Sequence, residues 1–393
     1  MIREVIETKV AGDYDVAVCG GGFAGISAAL ASARMGKKTV LFEKTFMLGG
    51  LGTAGLVTIY LPLCDGFGKQ VSFGIAEELF RLSISMGAEA RYPENWLDGV
   101  GTRTENDKRF EVQYNAQLFA ILAEKLLLSE GVDILYGTYA VSVNMKGDKI
   151  DHIICENKSG RQAYKVTSVV DATGDADIAK FANAPTETFK PKNVLAAWYY
   201  FMNKSGFDLK MLGYADLLGT EKIPLISPNR YTGLDGEEIS RMMCESHEHL
   251  LKDIIKKREE DETTVPVTIA TIPQLRMTRR IAGEYTMEIE EEHKYFDDSI
   301  GMVSNWRKRG PVYEVPFRTL YSSKVKNLIC AGRITSVGDV MWDIMRVIPC
   351  CAVTGEAAGV AAAMTDDFSS LDVKALQKKL VENGVVIHEK DLK

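Results

Sequence analysis

Asp15-Val16-Ala17-Val18-Cys19-Gly20-Gly21-Gly22-Phe23-Ala24-Gly25 is the stretch that decides the fold. Its first five residues read as a short buried strand, and a glycine cluster follows at once. From Ala24 to Met35 small and apolar side chains dominate, which predicts a helix able to pack closely on a sheet, with Gly36 as its stop. Thr39 to Phe42 predicts a second buried strand ending at Glu43. Strand, helix and strand within about 30 residues make one βαβ unit. Gly20, Gly22 and Gly25 occupy the G-x-G-x-x-G positions, with Gly21, Phe23 and Ala24 between them. The first glycine makes the tight turn, the second lets backbone N–H groups approach a pyrophosphate, and the third lets the helix pack on the strand. The helix N-terminus adds partial positive charge there. A carboxylate at Glu43, followed by Lys44, can accept both hydroxyls of an adenosine ribose.

Outward from this unit, Phe46 to Phe73 is rich in glycine and apolar residues without a period, and reads as a long loop lying against something flat. Ile75 to Met86 and Gln113 to Leu128 resume a helical period. Asp133–Tyr136, Tyr139–Val143, Ile150–Glu156 and Tyr164–Val170 predict a β-meander and a strand returning to the main sheet. Between about Pro185 and Arg309 aromatics and charges take over, which suggests an inserted second domain. Asn327 to Gly332 again predicts a buried strand entering a glycine turn, Cys350 to Met364 a small-residue helix, and Leu371 to Leu380 an amphipathic helix on the surface. The expected division is 1–184 and 311–366 for a nucleotide-binding domain, 185–310 for a substrate domain, and 367–393 for a C-terminal surface helix.

A chain of 393 residues with 46% hydrophobic and 26% charged residues has length for about two domains and enough apolar material for a full core. A net charge of -7 without a basic block argues against a nucleic-acid partner. Seven scattered cysteines point to reduced thiols and a cytoplasmic location. The polar start up to Tyr14 lacks the apolar core of a signal peptide, and the apolar runs are broken well short of a membrane span.

Three later segments separate a flavin from a nicotinamide dinucleotide, and they do so by resemblance. Val169-Val170-Asp171-Ala172-Thr173-Gly174-Asp175 resembles the "ATG" signature of FAD proteins. Asn327 to Arg333 resembles the late strand that passes beneath the flavin ribityl chain, and Arg346-Val347 to Gly359 resembles the helix whose N-terminus faces the flavin pyrimidine ring. Leu275 to Tyr285 and Tyr313 to Arg318 are similar to two further elements of the FAD-dependent oxidoreductase ("FAD oxidored") family. Met277 departs where Glu is common, and Asp339 stands where members often carry His. Succinate dehydrogenase, thiazole-synthesis and glucose-inhibited-division flavoproteins resemble the chain more distantly.

The resemblance implies an α/β fold: a glutathione-reductase-like FAD/NAD(P)-binding Rossmann domain, parallel sheet plus β-meander, with an inserted α+β substrate domain. It implies FAD as cofactor. Gly20, Gly22 and Gly25 would hold the pyrophosphate and Glu43 the ribose. Gly49, Gly50, Leu51 and Gly52 would lie along the flavin, and Ala140 or Val141 beside the adenine. Ala172, Thr173 and Gly174 would approach the pyrophosphate, and Gly332, Arg333 and Asp339 the ribityl or phosphates. Backbone at Arg346 and Val347 would face the flavin C2 carbonyl, where a helix N-terminus stabilises the reduced anion.

Hydride transfer at flavin N5 needs a held substrate and anchoring charge. Arg276, ahead of Arg279 and Arg280, is the expected grip for a carboxylate, against the alternative that these arginines tie domains together. Tyr200, on the strand Trp198 to Phe201, would line the pocket, and Cys64 in the glycine-rich loop would approach the flavin; sheet packing and a plain buried thiol are their alternatives. Cys244, His247 and His249 lack a second ligand pair, so no metal is expected. No second G-x-G-x-x-G follows a strand. These features point to a hydride exchange between FAD and a small polar metabolite, a carboxylate among the candidates. The alternative is a flavin electron-transfer subunit of a heterodisulfide-reductase-like complex, with a redox partner protein; a flavoprotein that modifies RNA is a further rival, disfavoured by the acidic balance. Homo-oligomerisation stays open.

Overall fold

The computed structural model describes residues 2–86, 112–213 and 225–392. Its centre is a mixed seven-stranded sheet: β1 (Lys9–Cys19), β2 (Thr39–Phe42), β3 (Asp133–Leu135), β4 (Tyr139–Lys146), β5 (Lys149–Asn157), β6 (Gly160–Asp171) and β7 (Leu328–Cys330), in the order β3-β2-β1-β6-β5-β4 with β7 also on β6. β1 runs parallel to β2 and β6, and its last residues, Val16 to Cys19, pair on both sides. β6 divides its far edge: Arg161 to Lys165 pair antiparallel with β5, while Val169 to Asp171 pair parallel with β7. The meander therefore branches from the parallel sheet part-way along one strand.

Alternation sorts the sheet's side chains into two layers. Val16, Val18 and Leu41 enter one apolar cluster, whereas Ala17, Cys19, Val40 and Phe42 enter another. The first cluster holds α1 (Phe23–Arg34) and α2 (Ile348–Met364); the second holds the meander residues Ile150, Ile153 and Cys155. α1 and α2 approach until backbone meets backbone. A Cβ on Gly355 would overlap the Ala24 carbonyl, and one on Gly359 the Ala28 carbonyl. Small residues in both helices are what allow that distance.

Thr186 to Ile281 leave the sheet. Ala197–Asn203, Gly206–Leu212 and Val265–Ile269 form a three-stranded antiparallel sheet, and helix Gly236–Glu260, capped by the Asp235 side chain, packs on one face through Tyr199, Phe201, Leu250 and Ile254. The opposite face presents Trp198, Tyr200 and Leu209 to Leu56 in the glycine-rich loop. The chain rejoins the main body where Ile281 N donates to Ile334 O. The tail helix, Val373–Glu382, is less superficial than its amphipathic pattern predicts: Leu376 and Leu380 are fully buried in the main cluster. No single helix among the described residues is long and apolar enough to cross a membrane.

One buried carboxyl ties α2 to the rest. Glu356, 1% exposed, accepts from Ile75 N at 2.7 Å and so caps helix Ile75–Ile84 from outside its own sequence. Burial, with Glu78 nearby, pushes its pKa up to about 8. The folded protein then keeps a proton that the unfolded chain releases near the ordinary carboxyl value, so stability falls as pH rises between those two values. Glu356→Gln, which retains an acceptor for Ile75, is expected to abolish that loss. In urea titrations from about pH 5 to pH 9 the wild type should lose on the order of a few kcal/mol more than the variant over the same window.

Candidate flavin site

A cleft of about 310 Å³ opens where the carboxyl ends of β1, β2 and β6 meet the N-termini of α1 and α2. Neither helix carries a side-chain cap there: the N-cap of α1 is Gly22 and that of α2 is Val347. Unmet backbone N–H groups and two helix dipoles thus face one space, which suits an anion.

The three motif glycines differ in why they must be glycine. Gly20 turns the chain at φ +107°, which favours glycine. A Cβ on Gly25 would strike the Gly20 carbonyl, so Gly25 is required by helix packing. A Cβ on Gly22 would meet no protein atom within 4 Å, and its φ of -70° suits any residue. No protein atom requires glycine at position 22, and its backbone lies open to the cleft.

Glu43 closes one end of the cleft. Its Oε2 accepts from Gly21 N at 2.7 Å, and its Oε1 from Thr45 N and Thr45 Oγ1, both at 2.7 Å. At the next turn, buried Asp171 accepts from Thr173 Oγ1 at 2.7 Å and Ala179 N at 3.0 Å. Burial pushes its carboxyl up to about 6 against those hydrogen bonds. Asp175 then gathers Thr278 Oγ1 at 2.7 Å and Arg333 Nη2 at 3.2 Å, while its carbonyl accepts Arg279 Nε at 2.9 Å.

The far wall comes from the inserted segment. Ile272, Pro273 and Leu275 line the cleft, and Gln274 between them holds the wall in place. Its Oε1 accepts from Trp198 N at 2.9 Å, and its Nε2 donates to the Gly55 carbonyl at 2.6 Å. The glycine loop is thereby pinned beneath the three-stranded sheet. Cys351, in the first turn of α2, lines the same end; burial pushes its thiol up to about 12 although Arg333 and Arg346 pull the other way.

Most of the expected contacts come together here. Gly20, Gly21, Gly22, Phe23, Ala24, Glu43, Lys44, Gly49, Gly50, Leu51, Gly52, Ala140, Ala172, Thr173, Gly174, Gly332, Arg333 and Arg346 all line the cleft. Gly25, Val141, Asp339 and Val347 lie outside its wall, Asp339 as the first residue of helix Asp339–Met345. The three expected substrate residues also stand behind it. Arg276 is buried with its guanidinium 5.1 Å over Trp198, Tyr200 shares its hydroxyl with Thr58 Oγ1 at 2.5 Å, and Cys64 is buried in the main core. Arg279 pairs with Asp177 and Arg280 with Glu187, both at 2.6 Å. Ile272, Pro273 and Leu275 carry no periodic signal that marks them in the sequence. Cys351 had one, its place at a helix start.

Among curated proteins, the chain is similar to the tRNA uridine 5-carboxymethylaminomethyl modification enzymes MnmG 1 of Fusobacterium nucleatum subsp. nucleatum and MnmG of Bacillus mycoides. The first match is 32% identical over 138 residues, covering 32% of this chain and 22% of that protein. The second is 31% identical over 131 residues, 31% of this chain and 21% of that protein. The chain thus spans about a fifth of the length of these relatives. Among solved structures it is similar to a geranylgeranyl bacteriochlorophyll reductase-like protein of Thermoplasma acidophilum, at 13% identity and a TM-score of 0.45, covering 94% of this chain and 83% of that one. A second is the myxobacterial chondrochloren halogenase CndH, at 14% identity and a TM-score of 0.46, covering 94% and 78%.

Gly22→Val is expected to purify folded, with a circular-dichroism melt like the wild type's, yet without flavin in the acid supernatant; Gly25→Val is expected to fail to fold. A yellow Gly22→Val protein overturns the assignment of this loop. The sequence profile described as FAD dependent oxidoreductase matches residues 15–197 and 202–380, which include every residue that lines the cleft, and the chain belongs to that family of flavin enzymes.

Proposed function

We propose that this enzyme uses FAD to exchange a hydride with a small polar metabolite, a carboxylate being the favoured class. The reading takes residues 1–184 and 311–366 as a glutathione-reductase-like FAD domain and 185–310 as the cap over the flavin. FAD supplies the two-electron chemistry at N5; the chain supplies binding, orientation and charge. The observation that carries the reading is the convergence of two uncapped helix N-termini on one cleft, with Gly22 open to it. The first N-terminus serves the pyrophosphate. The second offers partial positive charge at the opposite end, where electron density on a reduced ring or on a substrate needs it.

In this reading Arg276, Tyr200 and Cys64 are positioning residues. Arg276 stiffens Trp198, which shares Gln274 with the loop over the cofactor. Tyr200 braces the same loop through Thr58, and Cys64 fills the core below. Water exclusion at the cleft falls to Ile272, Pro273, Leu275 and Ile348. A second reading, modification of a tRNA base, is favoured only by what the two partial relatives are named to do; a net charge of -7 speaks against it.

Anaerobic mixing of the yellow protein with panels of hydroxy, amino and unsaturated carboxylates tests the proposal. Loss of the oxidised flavin band with one class of metabolite is the expected result. Bleaching only by a partner protein would instead select the electron-transfer reading, and bleaching by none, with salt-resistant tRNA binding, the RNA reading. Arg276→Ala is expected to lower the thermal midpoint while turnover per bound flavin stays within about twofold of wild type.

A further inference from the structure

The most unusual side chain in the cleft is Arg346, which precedes the first turn of α2. It lines the cleft, yet its side chain is only 7% exposed. Nε and Nη2 both donate to Asp343 Oδ1, at 3.0 and 2.6 Å. Nη1 has no hydrogen-bond partner among the described residues. The guanidinium cannot turn to find one, because it is held on several sides. Asp343, 4% exposed, is gripped by Arg307 Nε as well, and the Trp306 ring lies 5.7 Å from the Arg346 guanidinium. Trp306 Nε1 in turn donates to the Asp343 carbonyl at 2.9 Å. One carboxylate shared between two arginines leaves Arg346 incompletely neutralised.

Arg333, the other arginine of the cleft, differs. Its Nη2 is spent on Asp175 and its Nη1 on the Arg276 carbonyl at 3.3 Å. The phosphates of a dinucleotide are served at the opposite end, by Gly20 to Gly22 and α1. A fixed, desolvated cation with a spare N–H pair is costly unless something anionic completes it. Next to it stand the uncapped first turn of α2 and the apolar Ile348.

We infer that Arg346 binds the anionic group of the substrate, a carboxylate or similar oxyanion, through Nη1 and with the help of the α2 N-terminus. The inference rests on the metabolite reading above and names its substrate class and its anchor. Asp343 is the positioning residue that sets the fork's angle. Apolar walls on the other side admit the carbon skeleton.

The test uses the flavin-loaded protein and reads the flavin's visible spectrum, without turnover. Acetate, benzoate and oxalate are titrated against acetamide and benzamide, their neutral counterparts. The expected result is a saturable spectral shift with at least one carboxylate and none with the amides. Arg346→Met should keep its flavin and weaken that Kd by about tenfold or more, as loss of a charge-assisted hydrogen bond predicts; Arg346→Lys should recover part of it. Should Arg346→Met not fold, Arg346→Gln, which removes the charge and keeps donors for Asp343, provides the same reading, with weaker anion binding at unchanged flavin content. Three outcomes overturn the inference: no carboxylate perturbs the wild type, the amides perturb it equally, or Arg346→Met binds carboxylates as tightly while the flavin's midpoint potential drops. The last would assign the charge to the cofactor ring. Failure of the metabolite reading looks different: carboxylates would bind, and no metabolite would bleach the flavin.

Discussion

The close approach of α1 and α2 is the constraint on which the rest depends. Two helices rarely touch backbone to backbone, because ordinary side chains keep their axes 8–10 Å apart. Here Gly355 and Gly359 remove that spacer against Ala24 and Ala28. With the axes so near, both N-termini end on the same side of the sheet and within one cleft. A bulkier seam would separate them and leave two weak anion sites instead of one long one. Glu356, one residue beyond Gly355, then uses the same helix to cap a third.

Around that seam the electrostatics are arranged in nested pairs. Three arginines at or beside the cleft are each paired with an acid: Arg333 with Asp175, Arg279 with Asp177, Arg346 with Asp343. Each acid fixes the angle of its arginine and lowers the cost of keeping that charge away from water. The inserted segment closes the arrangement mechanically. Gln274 binds the glycine loop to the strand carrying Trp198, so the far wall of the cleft and that loop are tied to each other.

Much of this was legible from residues 15 to 43, because a strand, a glycine turn and a small-residue helix leave strong local marks. Most of the residues that line the cleft followed from them and from family likeness. What local pattern did not carry was every feature set by distant partners. Lys9 to Tyr14 has no apolar alternation, yet it is strand because β6 runs beside it from Gln162 onward. The tail helix reads as superficial until its Leu376 and Leu380 meet the core. Arg276 looks like an anchor in sequence, since nothing local announces Trp198 above it. Asp343 and the clamp on Arg346 were equally silent, being an ion pair buried by residues 36 and 37 positions away from Asp343.

Glu43 has a consequence for anyone who wishes to retune this protein. Exchanging a carboxylate at the end of the second strand for a smaller or basic residue is a usual route to a different nucleotide preference. Here both oxygens are already engaged by Gly21, Thr45 and their backbone. The side chain that would recognise the ribose is also the strut of the glycine turn that shapes the cleft. Redesign at this position therefore alters the cradle together with its selectivity, and a new preference has to be built on a replacement strut, with Thr45 as the natural place to begin.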